Sequence, residues 1–431
     1  MEYAKTEQMQ KIIDGFTEFY KHAIEANEFD SALLKDFMEP KFTEAGYREI
    51  SIKRQPQILI LHDNAVGDFI TMSAAIREIR RIYQNAHIVL VVSKIVKTLA
   101  EFCPYVDEVI VNEMKFKRLY LDQGYSWCLE FSKNLLKYRF DVAYAYIYGI
   151  TPYNHLLAYM SGARERISLV YSKNTRIFAP LLTMPLPFPK YVTHCADVCL
   201  SYLETQIGAP IADRRLEVWF NDNDVAEIKK LMPAKTENTY AICLGGSQPR
   251  KHWPPKFYTE LINLISKSEI SSFVILGGPS DVEEANEIVD SLSNNADVTN
   301  LTGKLNYRQT AAAISLCKIY IGNDTGAMHA AAALNIPILT PFCFAADIKL
   351  PENIVPLSTL KRWYPYDVPS VIVQPKHALP ECKDSIDPYG CKVTLNKAHC
   401  IKQITPEIMF KGLQFLKERI TKNIKETMFF N

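Results

Sequence analysis

The apolar positions of this chain follow two rhythms from residue 57 onward. Short continuous runs, such as Ile58–Leu61 and Val89–Val92, alternate with longer stretches in which apolar side chains recur every three or four residues. The runs predict strands at 58–62, 87–93, 108–112, 140–146 and 166–170, with helices between them. A second series predicts strands at 240–244, 272–276, 298–301, 318–322 and 337–341. Strands that are apolar on both faces belong in parallel sheets covered by helices on each side. The fold class is therefore α/β with two doubly wound, Rossmann-like domains, and the stretch 208–238, with Pro210 and Pro233, is the junction.

Residues 1–56 have a different pattern. Ile12, Phe16, Phe19, Tyr20, Ala23 and Ile24 form a stripe at helical spacing, and Ser31 can cap a second helix that Pro40 ends. This predicts a helical extension packed on the body of the protein, with no catalytic chemistry. Its eleven acidic residues against eight basic ones disfavour an anionic lipid surface.

Composition narrows the class. A length of 431 residues exceeds one typical core and points to two domains. A net charge of +1 gives no bulk polycation for nucleic acid, so any anionic partner must be met by local patches. No basic leader and no apolar run near the length of a membrane span is present, which predicts a cytoplasmic protein. The ten cysteines are scattered, several within apolar patterns such as Cys243 and Cys317, as expected of buried reduced thiols.

Candidate chemistry gathers at strand ends. Residues 318–339, KIYIGNDTGAMHAAAALNIPIL, read as strand, tight loop, helix and strand. The loop brings Asp324, Thr325 and Gly326 to a helix N-terminus, where free N–H groups and the positive end of the dipole suit a phosphate. His329 lies one turn further along. A plain helix cap at Asp324 or Thr325 is the alternative for this loop taken by itself. Two other segments favour the anion site: YAICLGGSQPRKHWP at 240–254, with Ser247 and Lys251 after a Gly-Gly pair, and SFVILGGPSDVE at 272–283, which ends on Asp281 and its neighbours. Open α/β sheets bind ligands beyond the carboxyl ends of their strands. The first domain contributes HDNAVGDF, whose single glycine lacks the spacing of a dinucleotide fingerprint, so an NAD enzyme is not expected. There Gly67 would turn the chain and present Asp68 at the start of a helix, either as a functional carboxylate or as a helix cap.

These segments together resemble glycosyltransferase family 9, the heptosyltransferase-like enzymes of bacterial surface-polysaccharide assembly. The resemblance runs from ILILHDNAVGDFITMSAAIREIRRIY at 58–83 through NLTGKLNYRQTAAAI at 300–314 to HCIKQITPEIM at 399–409. The pairing of an early Gly-Asp loop with a distal DTGxxH is what makes it specific.

The resemblance implies a GT-B fold with its two domains facing a cleft. The extension would cover 1–56, the acceptor-side domain 57–215 and the nucleotide-sugar domain 216–405, with a final helix within 406–431 returning to the first domain. It implies an inverting, metal-independent glycosyltransferase without a cofactor, moving a sugar, with ADP-heptose as the leading donor, onto lipopolysaccharide or another bacterial surface glycan. Asp68 would be the general base. Lys251, Thr325 and the N–H groups near Gly326 would hold the diphosphate with Ser247, Asp324 and His329, Asp281 would hold the ribose, and Leu305 would pack on the base. Lys115, Lys117 and Arg118 resemble the basic segment that meets an anionic acceptor, which would place the enzyme at most peripherally on the inner membrane. A solvated charge run is the other reading of those three. Tyr146-Ile147-Tyr148-Gly149 departs from the polar residues the family often carries there and leaves the acceptor open.

Alternatives are a protein O-heptosyltransferase of the same family, a GT-B nucleotide-sugar epimerase and a non-catalytic scaffold. Asp222-Asn223-Asp224 formally reads as a DxD metal motif but precedes a helical pattern and is expected to cap it. Cys382, Cys391 and Cys400 are weak candidates for a metal because they lack a CxxC pair.

Overall fold

A computed structural model describes residues 55–62, 64–113, 121–145, 153–170, 179–187, 194–232, 238–246, 248–293, 296–347, 362–379 and 400–431. The expected helical extension lies almost entirely outside them. Two parallel sheets are formed. The first contains β1 (Gln57–His62), β2 (His87–Ser93), β3 (Glu108–Asn112), β4 (Val142–Ala145), β5 (Glu165–Val170) and β6 (Met184–Pro187), in the order β3-β2-β1-β4-β5-β6. The second contains β7 (Thr239–Cys243), β8 (Ser272–Leu276), β9 (Asp297–Asn300), β10 (Ile319–Gly322), β11 (Ile338–Pro341), β12 (Ser370–Val373) and β13 (Thr427–Phe430), in the order β13-β12-β11-β10-β7-β8-β9. In both, the chain winds outward one way from a central strand, returns, and winds the other way. The reversal falls between β1 and β4 in one sheet and between β7 and β10 in the other. This is the doubly wound pattern, and the crevice at each reversal is its natural ligand position.

The strands read as unbroken apolar runs because helices cover both faces. In the first sheet Leu59, Leu61, Val89, Val91 and Ala143 are buried with Leu157 of a helix at Tyr153–Met160. In the second, Tyr240, Ile242, Phe273, Ile275, Ile319 and Ile321 share a core with Trp253, Tyr258, Leu261 and Leu413. Each such side chain removed from water contributes roughly 1.5–3 kcal/mol, so these sheets are rigid mounts for the loops above them.

Contacts divide the chain into two units, and the division does not follow the sequence in one cut. Residues 65–74 and 192–197 group with Ile211–Asn431, whereas Ala75–Tyr191 and Val198–Pro210 group with the first sheet. The first turns of α1 (Val66–Ile82) are tied to the second unit through Ser73 Oγ, which accepts from Glu217 N at 2.7 Å, and through Phe69, edge-on to Trp219 at 5.8 Å.

Two expectations change, and a third holds. Strands β6, β12 and β13 were not expected; β6 is Met-Pro-Leu-Pro, a sequence that only a sheet edge accommodates because proline cannot donate to a ladder. The closing helix, α2 (Pro406–Thr421), does not return to the first domain. Its Met409, Leu413 and Leu416 are buried in the core of the second sheet, and Gly412 lies so close that an added Cβ would sit 3.0 Å from Leu339 and 3.1 Å from Val373. Asp222-Asn223-Asp224 behaves as a cap: Asn221 and Asp224 form a reciprocal capping box, and Asp224 also pairs with Arg308 at 3.0 Å.

Candidate functional site at the reversal point of the second sheet

Strands β7 and β10 are hydrogen-bonded neighbours that end side by side, so the loops after them meet. The loop after β7 turns through Gly245 at φ +77°, in the left-handed region that side chains avoid, and a Cβ there would lie 2.3 Å from Asp281 Oδ2. At Gly246 a Cβ would contact both the His252 ring, at 3.4 Å, and Thr325 Cγ2, at 3.6 Å. The Gly-Gly pair thus brings two ligand-type loops into van der Waals contact.

Asn323, which sequence reasoning passed over, fastens them. Its Oδ1 accepts from Trp253 N at 3.0 Å and from the Tyr258 hydroxyl at 2.9 Å, and its Nδ2 donates to Gly245 O at 3.0 Å. The side chain is 1% exposed with every one of these bonds internal, so its part is to position the loops. The only signal for it in the sequence is its place beside Asp324.

Lys251 and Asp324 follow on these loops and form an ion pair, Nζ to Oδ2 at 2.6 Å. Burial works against the lysine charge, but the Asp324 carboxylate outweighs it and holds the ammonium pKa above its usual value. An ammonium has three donors, so one bond to Asp324 aims the group and leaves two for a phosphate. His252 adds to the positive character. Its Glu284 partner and its contact with Gly246 O at 3.0 Å raise the imidazole pKa against the opposing effect of burial.

Thr325 caps α3 (Gly326–Ala333), accepting from Ala327 N at 3.2 Å. The start of that helix is pressed against the start of α1. An added Cβ at Gly326 would sit 3.0 Å from Val66 Cβ and 3.2 Å from Gly67 N, and one at Gly67 would sit 2.8 Å from His329 Cδ2. Gly67 has no positive φ and makes no sharp turn, contrary to the sequence expectation; it is glycine because the first turn of α3 passes too close for a side chain. His329 lies one turn into α3, as expected. It is buried against Gly67 and edge-on to Trp363, and burial lowers its pKa to about 4, so the ring is neutral at physiological pH and brings no charge to a phosphate.

Asp68 stands in the first turn of α1, half-buried beside this junction. Loss of solvation raises its pKa from 3.8 to about 7; the backbone N–H at Ala65 and the Lys251 charge act the other way, and the Asp324 charge adds to the rise. A carboxyl that titrates near neutrality can accept a proton and hold it.

The remaining expected residues fall into three groups. Asp281 is buried, with Oδ2 accepting from Gly278 N at 2.7 Å and Oδ1 from the Ser280 hydroxyl at 3.2 Å, so in this structure its carboxylate is committed to its own loop. Leu305 is half-buried before a helix at Tyr307–Ser315. Ser247, Lys115, Lys117, Arg118, Cys382 and Cys391 lie outside the described residues, while Cys400 is buried in a short helical turn. Among the described residues no group of three or more metal-ligating side chains is assembled, and no helix is long and apolar enough to cross a membrane.

Comparison with known proteins shows the family. The model of glycosyltransferase family 9 (heptosyltransferase) matches residues 129–359, more than half of the chain. The chain belongs to glycosyltransferase family 9. It is 23% identical over 290 residues to lipopolysaccharide heptosyltransferase 2 of Escherichia coli K12, covering 66% of this chain and 81% of that one. Among solved structures it resembles a family 9 glycosyltransferase from Veillonella parvula, with a TM-score of 0.64, 19% identity and coverage of 84% and 97%. The E. coli ADP-heptose lipopolysaccharide heptosyltransferase II follows with a TM-score of 0.59, 18% identity and coverage of 85% and 99%. This family 9 chain is a glycosyltransferase with the GT-B architecture, and the loops after β7 and β10 both fall within the family's matched segment.

Proposed function

We propose that this glycosyltransferase moves heptose from ADP-heptose to a lipopolysaccharide inner-core acceptor, inverting the anomeric centre without a metal ion. The observation that carries the reading is the meeting of three groups: a carboxyl titrating near neutrality at Asp68, an oriented ammonium at Lys251, and a helix N-terminus at Thr325-Gly326. The relatives named above supply the donor and acceptor classes.

In the proposed reaction the acceptor hydroxyl gives its proton to the Asp68 carboxylate while its oxygen bonds to the anomeric carbon. The bond from that carbon to the diphosphate breaks on the opposite face, and ADP leaves with the electron pair. A base pKa near the working pH serves this step, because a useful fraction is ionised and the proton is still held firmly. Negative charge gathers on the departing phosphate, where Lys251 and the N–H groups opening α3 can receive it. Those groups take the place that a divalent cation has in other transferases. Asp324 and Asn323 hold Lys251 and its loop in register, and His329 supports the Gly67 backbone under the base. The reaction would take place in the cytoplasm, with the enzyme meeting its glycolipid at the inner-membrane surface.

A thermal-shift series with ADP, UDP, GDP and CMP sugars in EDTA tests the donor and the metal together, since a ligand that binds the folded state stabilises it. ADP-heptose should give the largest rise, unchanged when magnesium is added. A larger rise with another nucleotide sugar, or a rise that appears only with the metal, would contradict the proposal.

A further inference from the structure

The second unit also carries a groove of about 1070 Å³, lined by none of the residues of the Lys251 and Thr325 loops. Its walls come from three separate stretches, 212–215, 364–367 and 425–429, the last including strand β13. Three basic and three acidic side chains line it, so it has no excess charge to attract an anion. The charges are also paired. Arg215 grips Asp213 with Nε and Nη2 at 2.9 and 2.7 Å, Lys425 faces Asp367 at 3.3 Å, and Arg214 donates to Asp197, behind the wall, at 2.9 Å.

Aromatic rings supply the rest. Tyr364 and Tyr366 are half-buried, and His194, fully buried, backs both, with ring centroids 4.8 and 4.6 Å away. The Tyr366 hydroxyl donates to Asp197 at 2.6 Å, and His194 Nε2 contacts Tyr364 O at 2.9 Å. The rings are therefore fixed before anything binds, at no ordering cost to a ligand. On strand β13, Phe429 contributes a third ring and is 41% exposed.

We infer that this groove is a second carbohydrate site, taking an uncharged stretch of oligosaccharide. Pyranose C–H faces are weakly positive and pack on the negative faces of aromatic rings, and sugar hydroxyls exchange donors and acceptors with planar Arg–Asp pairs. A phosphate group would gain little where every lining cation has a carboxylate beside it. The volume is slightly above the roughly 300–1,000 Å³ usual for small-ligand pockets, enough for more than one sugar ring. The inference stands apart from the proposed donor, because none of these residues belongs to the Lys251 and Thr325 loops.

Ligand-observed saturation-transfer NMR on the full chain tests it, with maltotriose, cellotriose and α-mannotriose as neutral probes and mannose 6-phosphate as the anionic one. At least one neutral trisaccharide should receive saturation, the signal should persist in saturating ADP, and it should fall several-fold in Phe429→Ser and in Tyr364→Leu. ADP binding and melting temperature serve as the check that both variants are folded; Phe429 sits on an exposed edge, so that variant should pass. Silence from all three neutral probes would overturn the inference, as would loss of the signal on adding ADP, a full signal in folded Phe429→Ser, or preference for the phosphorylated sugar.

Discussion

Replacing Asp68 by Asn should lower turnover by about 100-fold or more while leaving ADP affinity nearly unchanged, the scale expected when a general base is lost. The substitution keeps the size of the side chain and removes only its ability to take a proton. With the folded pKa near 7, wild-type turnover should rise with pH up to about 7 and level off above it, and this limb should be missing from the variant's residual rate. Stability should move the opposite way. Because the folded carboxyl binds its proton more tightly than an unfolded one of pKa 3.8, the stability it confers is complete at low pH and is lost as pH rises towards 7. Melting temperatures compared from pH 4 to 8 should therefore find Asp68→Asn gaining on the wild type up to about pH 7 and holding that advantage beyond. A folded variant with normal turnover would make Asp68 a helix-start residue and nothing more.

Lys251→Ala should weaken ADP binding by roughly 1 to 3 kcal/mol, the range for a hydrogen bond to a charged group, measured by calorimetry. It should also lower the melting temperature, since Asp324 is 8% exposed and would lose its 2.6 Å partner. Asp324→Asn separates the two effects. It leaves the lysine charge in place but frees its direction, so binding should weaken less than in Lys251→Ala. Equal affinity in wild type and Lys251→Ala would remove the phosphate site.

The parts of this structure that the sequence announces are those written in local code. Apolar runs marked β7, β8, β10 and β11 because burial on both faces leaves no polar position to confuse the pattern. Gly-Gly and Asp-Thr-Gly marked the loops after β7 and β10 because tight turns and helix starts need those residues. Relations across the chain were not legible. Asn323 binds Gly245, Trp253 and Tyr258, all more than sixty residues away, and nothing beside it in sequence says so. Helical spacing placed His329 one turn into its helix but could not say that the Gly67 backbone covers the ring. Gly67 itself suggested a turn, whereas its reason is the approach of the first turn of α3, about 260 residues later. The edge strand β13 was missed because its burial is only partial, which leaves the pattern weak. The two tyrosines of the groove come from a stretch with no regular periodicity and acquire meaning only with His194 behind them.

The transfer reaction tests the central claim most directly. The purified chain should be incubated in EDTA with ADP-heptose and a heptose-deficient inner-core lipopolysaccharide, with mass spectrometry of the glycolipid and quantitation of ADP. One heptose added per acceptor, an equal amount of ADP released and an inverted anomeric linkage in the product are the results predicted. A folded protein that binds ADP-heptose yet adds no heptose, or adds it only when a divalent cation is restored, would contradict the account.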